Sequence, residues 1–140
     1  MKLGLLMAIY WRVQLFRYER SKGKKMNTLY DQPIFILHTI GQKTGKLRKK
    51  PLIYFKKNED YLIVASNGGS KKHPSWYHNL KVVDHVNVQI KDKILKLDVK
   101  IAPSDEKEKL WKYIIGKCPY YDEFPKRTSR KIPIVILSPN

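Results

Sequence analysis

Two stretches of this 140-residue chain carry residue types arranged for chemistry. In the first, TIGQKTGKLRKKPLI over residues 39–53, Lys43, Lys46, Arg48, Lys49 and Lys50 crowd one turn, and no acidic residue occurs from Gln32 to Asn58. Gly41 and Gly45 allow a tight turn whose backbone N–H groups can also face an anion. The spacing is not that of a P-loop, whose first glycine must stand about four residues ahead of a Gly-Lys-Ser/Thr ending. Clustered cations repel one another until something negative neutralises them. A bound anion therefore accounts for the cluster better than a solvated hairpin does.

The second stretch is ASNGGSKKHPSWYHNL, residues 65–80. A strand that ends in Ser66, Asn67, Gly68 and Gly69 leaves N–H groups free at a sheet rim, where a flat ring can dock. Pro74 presets φ for the helical turn that carries Trp76 and Tyr77. From spacing alone Trp76 reads as a core residue, with the wall of a ligand pocket as the alternative. His38, His73, His78 and His85 lack zinc-type spacing and have no cysteine pair, so no metal site is expected. Cys118 has no activating base in sequence and reads as a buried thiol. Ser66 has no Ser-His-Asp pattern around it.

Other elements must hold these stretches in place. Residues 34–39 (IFILHT) read as a buried strand, a second strand falls around 50–55, and a third spans 61–66 after a turn. Residues 86–90 alternate, 91–93 turn, and Leu95, Leu97, Val99 and Ile101 alternate with Lys96, Asp98 and Lys100, predicting a hairpin with one buried face. Ser104 reads as the cap of a helix with Leu110, Trp111, Ile114 and Ile115 on its apolar face, ended by Gly116. Residues 132–137 form a closing strand. About six short strands with few helices predict a mainly β, α+β domain, an antiparallel barrel or sandwich.

Residues 1–25 read as an N-terminal amphipathic basic helix and flexible linker, ahead of a barrel domain over 26–140. The apolar run 3–11 lies between Lys2 and Arg12, too short to span a bilayer, and no small-residue cleavage site follows it. Leu6, Ile9, Tyr10, Val13 and Phe16 recur at helical spacing. Packing on its own domain or on a partner subunit, as in a homodimer, is the plainer reading. The other is attachment to an anionic membrane, since Tyr10, Trp11 and the nearby Lys and Arg suit a lipid interface. The formal charge of +17, from 29 Lys and Arg against 12 Asp and Glu, draws nucleic acid, anionic lipid or a polyanionic small molecule alike. Nucleic acid is not expected, because the basic cluster lacks the interleaved aromatics of single-strand binders. Cys118, the one cysteine, excludes an internal disulfide and fits a reducing, cytoplasmic setting, with membrane association at the inner face.

The segments TIGQKTGKLRKKPLI, ASNGGSKKHPSWYHNLK and CPYYDEFPKRTSRKIPIVIL, with VNVQI between the last two, occur in one order over roughly residues 33–139. In this the chain resembles the deazaflavin (coenzyme F420)-dependent nitroreductase family. The resemblance implies a split β-barrel and a hydride transfer from the reduced deazaflavin to a quinone, nitroaromatic or related conjugated acceptor. It implies that Lys43, Arg48 and Lys50 hold the cofactor's phosphate and glutamate tail. Pro51, Ala65, Ser66, Trp76 and Asn79 would surround its ring, with Ser66 and Tyr121 as catalytic hydroxyls.

Gln42 stands where the family often has Arg, which leaves the tail site one cation short, with Lys46 and Lys49 nearby to compensate. Cys118, Tyr121 and Phe124 stand where nitro-reducing members carry tyrosines, which predicts a pocket poorer in hydroxyl donors and better suited to quinones. An FMN-binding oxidoreductase on a similar barrel and a non-catalytic basic binding module are the competing readings.

Overall fold

Strands buried on both faces read as continuous apolar runs, and two such runs lie at the heart of the sheet. In the computed structural model, which describes residues 2–139, positions 34–37 (IFIL) and 134–137 (IVIL) are buried throughout. The elements in chain order are α1 (Lys2–Arg20), β1 (Thr28–Leu29), β2 (Gln32–Ile40), β3 (Leu47–Ile53), β4 (Phe55–Lys57), β5 (Asp60–Val64), α2 (Ser75–Leu80), β6 (His85–Ile90), β7 (Lys93–Ile101), α3 (Ser104–Lys117), α4 (Phe124–Arg127) and β8 (Ile134–Pro139). Short 3₁₀ turns cover Asn67–Gly69 and Pro119–Glu123. Of the expected division at 1–25 and 26–140, only the outermost residues, Met1 and Asn140, lie outside the described residues.

All strand pairs are antiparallel, in the order β1, β2, β6, β7, β8, β5, β4, with β3 also on β2. β3 and β4 are separated by Tyr54 alone; one pairs with β2 and the other with β5. That continuous path curls the sheet back on itself into a split barrel with flanking helices. The strands exceed the expected six for two local reasons. The run read at 50–55 is broken at Tyr54, and the two-residue β1 is too short to show periodicity.

Two cores result. Phe35, Leu37, Ile63, Val88, Leu97, Val135 and Leu137 fill the barrel, closed at one end by Trp76, Tyr77 and Leu80 of α2. Ile34, Ile36, Leu62, Ile134 and Ile136 point the other way, under Leu110 and Ile114 of α3, with Tyr18, Cys118, Tyr121 and Phe124 beside them. α3 differs from expectation at both ends. Pro103 occupies its N-cap with no side-chain cap bond, so Ser104 is the first helical residue, and Gly116 continues the helix to Lys117.

The stripe of α1 expected to pack faces outward: Leu6 and Phe16 are 62% and 61% exposed. The opposite face docks instead, with Gln14 and Tyr18 at 0% and 1% exposure. Gln14 Nε2 donates to the Met26 and Thr28 carbonyls (3.2 and 3.4 Å), and the Tyr18 hydroxyl accepts from the Lys91 N–H at 2.7 Å. Burial raises the Tyr18 pKa against the lowering effect of that N–H. These bonds offset much of the cost of burying polar groups on this face, although Gln14 Oε1 is buried without a partner among the described residues. Residues 21–25, expected to be a flexible linker, form a hydrogen-bonded turn in which Gly23 N–H donates to Tyr18 O (2.8 Å) and Lys25 N–H to Ser21 Oγ (2.9 Å).

Gly23 has φ +78° and would place a Cβ 2.4 Å from Lys91 Cα, whereas Gly45, at φ +69°, has open space around it. Gly45→Ala should therefore cost about 1 kcal/mol for the left-handed backbone alone. Gly23→Ala, which must also move backbone, should cost at least about 2 kcal/mol. Urea denaturation of both variants reads the difference.

Candidate functional site: a basic and aromatic cavity at the barrel rim

β3 lies along β2 from Ile34↔Ile53 to Ile40↔Leu47, which carries the basic run of β3 up to the rim. A cavity of about 1170 Å³ opens there, between β3, the loop after β5, α2, the 3₁₀ turn after α3, and α1. That volume lies somewhat above the usual range of small-molecule sites, which runs to roughly 1,000 Å³.

Arg48, Lys49 and Lys50 line one part of the cavity. Arg48 is held by the glycine turn, its Nη2 donating to Thr44 Oγ1 at 3.4 Å, while Gly41 N–H donates to Lys46 O and Gly45 N–H to Gly41 O. Lys49 Nζ pairs with Glu19 of α1 at 2.7 Å, so the acid absent from the local sequence arrives from a distant element. Lys50 sits 4.9 Å over the Trp11 ring, and burial pulls its pKa below the usual lysine value. His38, next to Lys49 across the ladder, is pulled down by burial and then by the Lys49 charge. Lys43 lies on the exposed turn outside the cavity wall.

Pro51, Trp76 and Asn79 line the cavity with Ser66, Asn67 and Gly68. The Asn79 amide is committed to structure: Oδ1 accepts from the Gln42 N–H (3.3 Å) and Nδ2 donates to Thr39 Oγ1 (3.2 Å). Gln42 Nε2 adds a bond to His78 O at 2.9 Å. Gln42, which subtracts a cation, thus fastens the basic turn to α2. Ala65 differs from expectation. It is fully buried in the barrel core and does not reach the cavity. Gly69, at φ +80°, leaves only 2.7 Å between a would-be Cβ and Arg127 Cβ, so the loop packs directly on α4.

Tyr121 and Phe124 line the cavity from beyond α3, whereas Cys118 is buried in the outer core behind them. Burial, then Cys118 and Tyr30, push the Tyr121 phenol well above its ordinary pKa, so it stays protonated and can donate. Tyr30 of the β1–β2 turn and Tyr120 meet at 5.0 Å between ring centres, and both line the cavity. The wall is therefore not short of hydroxyls, as the positions of Cys118 and Phe124 alone suggest. Met7, Tyr10 and Trp11 of α1 also line it. Nothing in local spacing signals these residues, since each reaches the wall through a long-range packing contact.

The cavity thus joins a cationic strand to proline, tryptophan and tyrosine walls. This combination suits a flat ring bearing a polyanionic tail: Arg48, Lys49 and Lys50 offer cations along β3, Lys72 and Arg127 add cations beside the Ser66 loop, and Pro51, Trp76 and the tyrosines offer flat surfaces. Comparison with known proteins agrees. The family model described as F420H(2)-dependent quinone reductase matches residues 10–139, so the likeness begins within α1, earlier than the sequence segments indicate. An F420H(2)-dependent quinone reductase of Mycobacterium tuberculosis is 38% identical over 109 residues, covering 76% of this chain and 73% of that protein. A solved F420-H2 dependent reductase, FDR-A, shares 40% identity with a TM-score of 0.67, over 76% of this chain and 94% of its own. Another structure, described as a domain-swapped dimer, is 37% identical with a TM-score of 0.70, over 91% of this chain and 96% of its own. The family description names quinone rather than nitro reduction. The chain belongs to the F420H(2)-dependent quinone reductase family and is an oxidoreductase whose cofactor is coenzyme F420.

Proposed function

We propose that this protein reduces a quinone-type acceptor, with the cofactor ring and the acceptor sharing the rim cavity. The observation that carries the reading is the lining contributed by β3, where the consecutive residues Arg48, Lys49, Lys50 and Pro51 all border the cavity. Arg48 and Lys50, with Lys43 reaching from the adjacent turn, hold the phosphate and glutamate tail by charge-assisted contacts. Pro51 and Trp76 flank the ring, Asn79 keeps the basic turn against α2, and Ala65 fixes the start of the loop that carries Ser66. Reduced coenzyme F420, when bound, supplies the hydride; the protein's share is orientation and exclusion of water. Ser66 and Tyr121 offer hydroxyl hydrogen bonds to the acceptor oxygen, which takes its proton from solvent or through Ser66; the raised pKa of Tyr121 makes it a hydrogen-bond donor and a poor proton source. Tyr30 and Tyr120 widen the set of hydroxyls open to the acceptor, so a preference for quinones rests on the apolar walls, Leu52, Trp76 and Phe124.

The outward stripe of α1 supports a place for this reaction. Leu6, Ile9, Val13 and Phe16 are exposed on the helix whose Met7, Tyr10 and Trp11 line the cavity. Among the described residues no helix is long and apolar enough to cross a membrane. A stripe bordered by Arg12, Arg17 and Arg20, in a protein of charge +17, complements an anionic lipid surface and repels a second copy of itself. We assign it to peripheral docking on the anionic inner face of a membrane, with homodimerisation as the competing outcome. A lipid-soluble acceptor then reaches the cavity beside α1.

For the tail, calorimetric titration should show Arg48→Ala weakening the full cofactor roughly 10- to 100-fold, the size of one or two charge-assisted contacts. Lys43→Ala should weaken it less. A tail-less deazaflavin should bind wild type and both variants alike. Unchanged affinity of Arg48→Ala for the full cofactor would remove the basic wall from the site.

For the membrane, the double variant Leu6→Glu, Phe16→Glu should lose co-sedimentation with phosphatidylglycerol vesicles while keeping cofactor affinity. Wild type should not sediment with phosphatidylcholine vesicles. If the double variant still sediments, or instead changes from dimer to monomer without vesicles, α1 is not a lipid-docking element.

A further inference from the structure

Arg130 belongs to the segment between α4 and β8 and was given no role by its sequence surroundings. Its guanidinium reaches across to the 65–73 loop with its whole fork. Nε donates to Ser70 O at 2.8 Å, Nη1 to Ala65 O at 3.2 Å, and Nη2 to Ser66 O at 2.7 Å. Nη1 also lies 3.0 Å from His73 Nδ1. An arginine nitrogen only donates, so His73 accepts at Nδ1 and carries its proton on Nε2 in the neutral form. Burial, then the Arg130 charge, lower the His73 pKa, in keeping with that tautomer.

These contacts have a direction. The peptide units of the described residues are trans, and in a trans peptide the N–H points opposite to the C=O. Drawing the carbonyls of Ala65 and Ser66 onto one cation therefore turns the N–H groups of Ser66 and Asn67 the other way and polarises them. Both residues line the cavity. Loop bonds complete the frame: Gly69 N–H to Ser66 O at 2.8 Å, and Asn67 Nδ2 to Lys72 O at 3.0 Å. From behind, Ala65 N–H donates to Pro133 O at 2.9 Å, tying the loop to the same segment that carries Arg130.

We infer that Arg130 is the positioning residue of the ring site: it holds the 65–73 loop so that backbone donors of Ser66 and Asn67 face a flat, carbonyl-bearing ring. The inference rests on the proposed cofactor reading, and it predicts a separation of effects. Loss of the clamp should weaken recognition of the ring and leave recognition of the tail to Arg48 and Lys50.

The test compares Arg130→Ala and Arg130→Lys with wild type. Without cofactor, amide exchange at residues 66–70 should quicken about tenfold or more in Arg130→Ala, with protection elsewhere in the barrel retained. Affinities for full coenzyme F420 and for a tail-less deazaflavin should fall by one common factor, about tenfold or more, with an unchanged salt dependence. Millimolar guanidinium should partly restore binding to Arg130→Ala. Arg130→Lys, which keeps the charge without the fork, should fall between. Unchanged loop exchange in Arg130→Ala, or unchanged affinity for the tail-less ring, overturns the positioning role. Failure of wild type to bind either deazaflavin would instead overturn the cofactor reading, while the exchange measurement still judges the clamp.

Discussion

The pairing of β3 with β2 is the constraint on which the rest of the molecule depends. β2 is buried on both faces, so its register is fixed by two cores at once: Phe35 and Leu37 must enter the barrel while Ile34 and Ile36 meet the α3 layer. A slip of one residue would exchange every inward and outward side chain. Because β3 follows β2 in register, the same packing that stabilises the barrel sets where Arg48, Lys50 and Pro51 stand. The break at Tyr54 then lets the chain continue onto β5, which brings the Ser66 loop to the same rim. Site and barrel closure are two consequences of one pairing.

Electrostatics set the opposing demand. Gathering Arg48, Lys49 and Lys50 on one strand works against folding, and among the described residues only part of that charge is neutralised, through Glu19 on Lys49. Lys50 is left to the Trp11 face and loses proton affinity through burial. A site held short of neutrality in this way gains most when a polyanion arrives, and ligand binding then adds to stability by mass action. α1 is central to that balance. It supplies Glu19 and Trp11 and is itself bolted down by Gln14 and Tyr18.

The sequence carried the β-rich fold legibly, because alternation in 86–101 and the apolar runs at 34–39 and 132–137 are local signals. The basic turn and the Ser66 loop were legible for the same reason, and the order of three segments pointed to F420-dependent reductases, although the resemblance named nitro rather than quinone reduction. What stayed hidden depends on distance. The outward apolar face of α1 is indistinguishable from a packing face by periodicity, and only the partners of Gln14 and Tyr18 decide which side docks. Asn79 read as a ring contact and does line the cavity, but its bonds to Gln42 and Thr39, which tie the basic turn to α2, come from residues far along the chain. Ala65 sits one position behind the wall, Lys43 stands outside it, and Tyr30 reaches Tyr120 from far along the chain.

The central claim is that a cationic strand and a clamped loop together select a flat ring with a long anionic tail. Titrating the purified protein with coenzyme F420 and with FMN, at two salt concentrations, tests it most directly. FMN offers a ring and a single phosphate, so it can satisfy the loop but only part of the basic wall. The expected result is at least about tenfold tighter binding of coenzyme F420, with an advantage that shrinks as salt screens the tail. Equal or tighter binding of FMN would contradict the assignment.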